Sequence, residues 1–95
     1  MARFRYLKRV FLNPPASGAN SYVYAVAESS NEGTYALGNY VLTLADCHRI
    51  VQIEFPLSRP HARKESLAKA DLLAEVINRF REALHVEAKL IEKAR

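Results

Sequence analysis

Few residues in this chain of 95 have the chemistry of a nucleophile, a base or a metal ligand. Cys47 and His48 are adjacent, but a thiolate nucleophile needs a base carried to it by the fold. Neighbours at a hairpin end direct their side chains apart. There is no second cysteine, and His48, His61 and His85 have no ligand spacing among them, so no zinc set can be assembled from sequence neighbours. Ser17-Gly18 and Gly33 belong to neither a GxGxxG nor a GxxxxGK phosphate loop. Asp46 and Glu54 are too isolated to read as a general acid/base pair. The expectation is a non-enzymatic chain with no cofactor and no metal, in which Cys47 and His48 are ordinary turn residues.

The residues that do cluster are basic and aromatic. Arg3, Arg5, Lys8 and Arg9 precede any acid in the chain, and Arg59, His61, Arg63 and Lys64 form a second group ahead of the C-terminal third. Alternation along an extended strand sets Arg3, Arg5 and Arg9 on one face, and Tyr22 and Tyr24, or Tyr35, can share that surface. Guanidinium groups hold phosphates while exposed rings stack on unpaired bases, so this set points to nucleic acid, single-stranded or structured. Arg59, Arg63 and Lys64 stand before a helix N-terminus, whose free N–H groups already attract anions. The expected nucleic-acid-binding residues are therefore Arg3, Arg5, Arg9, Tyr22, Tyr24, Arg59, Arg63 and Lys64. The plainer reading is a basic outer strand kept for solubility and edge protection, with a solvated connector before the helix.

The net charge of +4 is concentrated in those two clusters, and from Glu65 onward six acids balance six bases. Apolar residues at 49% and charged residues at 25% are ordinary values for a folded domain. Ninety-five residues suit one domain, 1–95, with a modest core. No apolar run reaches the ~18 residues of a membrane span. Met1-Ala2-Arg3-Phe4-Arg5 has no apolar signal region, and the lone cysteine fits a reducing compartment, so the expected location is the cytoplasm.

Positioning these residues falls to one helix and the strands before it. From Ser66 to about Lys93, Leu67, Ala70, Leu73, Ile77, Phe80, Leu84, Ala88 and Ile91 return to one side of a 3.6-residue helix. Leu72, Val76, Ala83 and Leu90 widen that stripe, as for a helix lying across a sheet. Glu75, Arg79, Glu82, Lys89 and Glu92 take the other side. Ser58 with Pro60 could start an early first turn, with Ser66 as the alternative N-cap; bases oppose the helix dipole in a first turn, so a loop or frayed turn is expected before Ser66. Upstream, strands are expected over Arg3–Leu12, Ser21–Glu28, Thr34–Ala45 and Ile50–Leu57, separated by a loop at Asn13–Gly18, a turn at Ser29–Gly33 and a tight connection at residues 46–49. Phe4, Tyr6, Val10 and Leu12 read as the inward face of the first strand, which leaves Lys8 out of phase unless a bulge intervenes. In the second strand, inward Val23, Ala25 and Ala27 would leave the tyrosines outside. Gly38 marks a bulge or a close backbone approach. Opposing Leu44 to Val51, Leu42 to Ile53 and Tyr40 to Phe55 keeps the large apolar residues together, whereas a one-residue slip would bury Gln52 and Glu54.

The result is an α+β reading: a four-stranded antiparallel sheet followed by one long C-terminal helix packed on one face (ββββα). Its core is expected at Leu73, Ile77 and Phe80 against Leu42, Leu44, Val51, Ile53 and Phe55. This order of elements resembles, over the whole chain and in outline, the single-stranded-DNA-binding transcriptional cofactor and Whirly group, which implies binding to single strands. A competing class is a protein–protein module: a homodimer, adaptor or inhibitor. Two features favour it. A helix of about 28 residues is ~42 Å long against ~26 Å for eight-residue strands. The outer face also carries Leu7, Phe11, Leu37, Val41 and Ile50, an apolar patch that suggests a partner, most simply a second copy. A small-molecule binder in the cleft between helix and sheet is a third reading.

Overall fold

The computed structural model describes residues 2–13, 20–30 and 38–94. Four strands, β1 (Ala2–Phe11), β2 (Ser21–Ser30), β3 (Gly38–Asp46) and β4 (Arg49–Glu54), precede one helix, α1 (Pro60–Lys93). The sheet order is β1-β2-β3-β4 with every neighbouring pair antiparallel. This is the α+β, ββββα arrangement that alternation and the helical stripe predict. Most of the expected loop after Asn13, most of the turn before Gly33, the start of the third strand, Tyr35 and Leu37 lie outside the described residues.

The β3–β4 register is the one fixed by apolar matching: Leu42 faces Ile53 and Leu44 faces Val51, and Phe55 N–H donates to the Tyr40 carbonyl at 2.9 Å. Residues 47 and 48 make the hairpin turn, and Cys47 adopts φ 57°, a left-handed conformation that costs a side-chain-bearing residue energy. Gly38 begins β3, and the Tyr40 ring occupies the place its Cβ would take. The close approach expected at Gly38 is therefore to a side chain.

The phase problem at Lys8 resolves as a bulge. Phe4 pairs with Glu28 but Tyr6 with Ala27, leaving Arg5 as the extra residue. Beyond it, Tyr6, Lys8 and Val10 share the side of Ala27, Ala25 and Val23, while Leu7, Arg9 and Phe11 share that of Val26, Tyr24 and Tyr22. Phe4, expected inward with Tyr6, instead joins the outer row with Glu28.

The helix starts earlier than the dipole argument allows. Arg59 is the N-cap with extended φ −126° and ψ 151°, and Pro60 opens the first turn. A residue before proline is pushed out of the helical region, and proline's own φ is preset for the first helical position. The Arg63 guanidinium also donates to the Leu57 carbonyl at 3.0 Å, using one of the bases held unfavourable there. Ser66, expected as the cap, is buried inside the helix, where its hydroxyl donates to the Pro56 carbonyl at 2.7 Å. One turn on, Lys69 Nζ donates to the Glu54 carbonyl at 2.9 Å and lies 5.1 Å from the Phe55 ring centre. These contacts tie the helix to the exit of β4.

Beyond that tether the helix stands off the sheet. Leu73 and Ile77 face Ala25, Ala27 and Leu42 across an apolar cleft of about 490 Å³, and Phe80 and Leu84 look toward Leu44 and Val51. The faces meet as expected, but the core does not close: Ile77, Phe80 and Val51 remain 53%, 59% and 54% exposed. Among the described residues only Thr43, Ala45 and Ser66 are buried. A compact chain of 10.7 kDa exposes about 5,500 Å²; this one exposes 8147 Å². Its radius of gyration of 17.3 Å likewise exceeds the ~12 Å of a compact domain of this length. A 34-residue helix, about 51 Å long, cannot be covered by ten-residue strands of about 33 Å.

Candidate nucleic-acid interface

The sheet face turned away from the helix carries a cationic–aromatic group. Antiparallel pairing sets Phe11 beside Tyr22 and Arg9 beside Tyr24. The Phe11 and Tyr22 rings meet edge to face at 6.2 Å and 72°. The Arg9 guanidinium lies 4.9 Å from the Tyr22 ring centre and 5.7 Å from that of Phe11. Contacts of this kind hold a flexible side chain over the rings while its N–H donors still face water. Phe11 is 61% exposed, so part of its surface is open to a flat ligand. Local sequence explains the arrangement: small inward Ala25 and Ala27 leave the tyrosines of β2 on the outer side, and strand period does the same for Arg9 and Phe11.

Next to this group lies a shallow depression of about 500 Å³, reached from Tyr24 and edged by Phe4, Glu28, Asn39, Gln52 and Glu54. Glu28 and Glu54 bring negative charge and acceptors to it, while the amides of Asn39 and Gln52 can both donate and accept.

The structure divides the expected binding residues into three. Arg9, Tyr22 and Tyr24 come together on the outer face. The bulge breaks the row of Arg3, Arg5 and Arg9 read from simple alternation. Arg5 is the exposed extra residue, and the backbone of Arg3 pairs with Ser29, out of the row that holds Arg9. Arg59, Arg63 and Lys64 stand past the exit of β4, whose last residue Glu54 pairs with Val41, whereas Phe11 and Tyr22 lie toward the β3–β4 turn. They occupy the opposite end of the sheet from the Arg9 group. Within that second cluster Arg63 is bound to Leu57, and His61 sits 3.6 Å from Glu65. Phe11 was missing from the expected set, although alternation alone had already placed it outward with Arg9.

Cys47 is exposed at its turn. No group of three or more His, Cys, Asp or Glu that could hold a metal occurs among the described residues. No helix among them is long and apolar enough to cross a membrane.

What fold and site define together is a small ββββα domain with one open cationic–aromatic sheet face. No protein-family model, curated protein or solved structure matches the chain.

Proposed function

We propose that this chain is a small nucleic-acid-binding module that takes unpaired bases on its outer sheet face. The observation that carries the reading is the Arg9 guanidinium held 4.9 Å over Tyr22 beside exposed Phe11. Arg9 supplies a cation for the phosphate, Phe11, Tyr22 and Tyr24 supply stacking surface, and Arg5 extends the positive charge along β1. Arg59, Arg63 and Lys64 give a second phosphate contact where a longer strand passes the other end of the sheet. Stacking tolerates any base, so binding is weak and has little sequence preference.

Anisotropy of a labelled single strand at two salt concentrations tests this. Affinity should fall with a log–log slope of about −0.7 per phosphate contacted, and Arg9→Ala should flatten that slope by about one contact on every sequence. Lys89 and Lys93, balanced by neighbouring acids on the helix, are the controls. Absence of binding at low salt, or equal losses at Lys89 and Arg9, would remove the reading.

The protein–protein class is favoured by a separate observation, the exposed apolar stripe of α1. That stripe lies on the other side of the sheet from Arg9, whereas the apolar outer face of Leu7, Phe11 and Ile50 is surface that the two readings share.

A further inference from the structure

Part of the excess surface of this chain lies on α1. Leu72, Val76, Ile77, Phe80, Leu90 and Ile91 of α1 are each 53% exposed or more. They form two adjacent stripes, one looking into the cleft and one to its side. The part of the helix that lines the cleft runs from Leu67 to Leu84, so Leu90 and Ile91 project past it. We infer that this helix face is a dimer interface, covered by the same face of a second copy of the chain.

Three observations choose a second copy over other occupants. The surface in excess of a compact chain is about 2,600 Å². An obligate homodimer buries about 1,000–2,500 Å² on each chain, so a helix-face interface of that kind would take up part of this excess. A small apolar molecule filling the 490 Å³ cleft would leave the side stripe and the overhanging turns in water. Within α1, Pro60–Lys93, seven bases stand against six acids, so two such helices meet with little net repulsion. A two-fold arrangement then brings each overhang, Leu90 and Ile91, onto the partner and closes both clefts into a shared core.

Sedimentation equilibrium of the full chain, with far-UV circular dichroism as the folding control, tests the inference. The parent should be a dimer at micromolar concentration, and its melting temperature should rise with protein concentration. Leu90→Asp and Ile91→Asp lie past the chain's own cleft, so they should keep the native spectrum while weakening the dimer by roughly 30-fold or more. Lys89→Ala, on the polar side, should change neither. A parent that stays monomeric at high micromolar concentration overturns the inference, and a co-purified apolar molecule in that monomer assigns the cleft to a ligand instead. A dimer that ignores both aspartates but dissociates with Phe11→Asp also overturns it, because its interface would be the outer sheet face.

Discussion

On the outer face of the sheet, small Thr43 and Ala45 of β3 are shut in by Tyr24 and Tyr22 on one side and by Gln52 and Ile50 on the other, and only 6% and 5% of them is exposed. On the helix side, Ala25, Ala27 and Leu42 open onto a cleft, and Leu44 of the same strand is 37% exposed. The middle of the first face is closed by cross-strand neighbours of its own sheet, while Phe4, Leu7, Phe11 and Ile50 toward its edges stay 52%, 48%, 61% and 63% exposed. The second has a helix for a lid, but among the described residues the lid is tied down through Arg63, Ser66 and Lys69 at its first turns. A face closed at its middle and with open rings suits a ligand that comes and goes. An unfinished apolar face of this length suits a permanent neighbour, since water against it costs ~25 cal/mol per Å².

The largest test of that contrast is Phe80→Ala. Covered by a second copy, the truncation should cost about 3–5 kcal/mol in urea unfolding. Glu75→Ala on the polar side should stay within about 0.5 kcal/mol. Equal small losses would mean that nothing covers the helix. Next in size is Tyr22→Ala, expected to lose about 1–3 kcal/mol of single-strand affinity per stacked base while the dimer persists. Loss of dimer and ligand together would join the two faces that the structure keeps apart.

Ser66→Ala removes the buried donor to Pro56 and should destabilise by about 1 kcal/mol in the same melts. A null result would show that Lys69 and Arg63 suffice to tether the helix. The smallest effects belong to the hairpin turn. Cys47→Gly relieves the positive φ and should leave stability unchanged or raise it by up to about 1 kcal/mol, while Cys47→Ser should melt and bind as the parent does. A loss of binding with Cys47→Ser would instead return the thiol to consideration as a functional group.

The β3–β4 pairing was legible because a slip has a cost visible in the residues: moving β3 past β4 by one would bury Gln52 and Glu54. The bulge at Arg5 left one trace, Lys8 in the wrong phase, and that trace shows that a shift exists without locating it. The helix start was misjudged because three bases outweighed one proline in the reading. In the folded chain Pro60 and the Arg63–Leu57 hydrogen bond offset a dipole penalty of only some tenths of a kcal/mol per charge. The core was over-read for a different reason. Periodicity identifies an apolar face, but it cannot say whether that face meets its own sheet or another chain. The Arg9 group was half legible: alternation gave Arg9 and Phe11 a common side, while the contact with Tyr22 depends on the β1–β2 register, which no residue pattern fixed.

The two faces differ in their physics, and one measurement examines both at once. Sedimentation velocity of the parent with a labelled single strand, followed separately in the label and the protein signal, gives the mass of each species at low and high salt. A strand held by phosphates should leave the complex as salt rises, while an apolar, charge-balanced interface should keep the two-chain mass unchanged. A strand that stays bound at high salt, or a protein mass that falls to one chain as the strand departs, would contradict the division of labour proposed between sheet and helix.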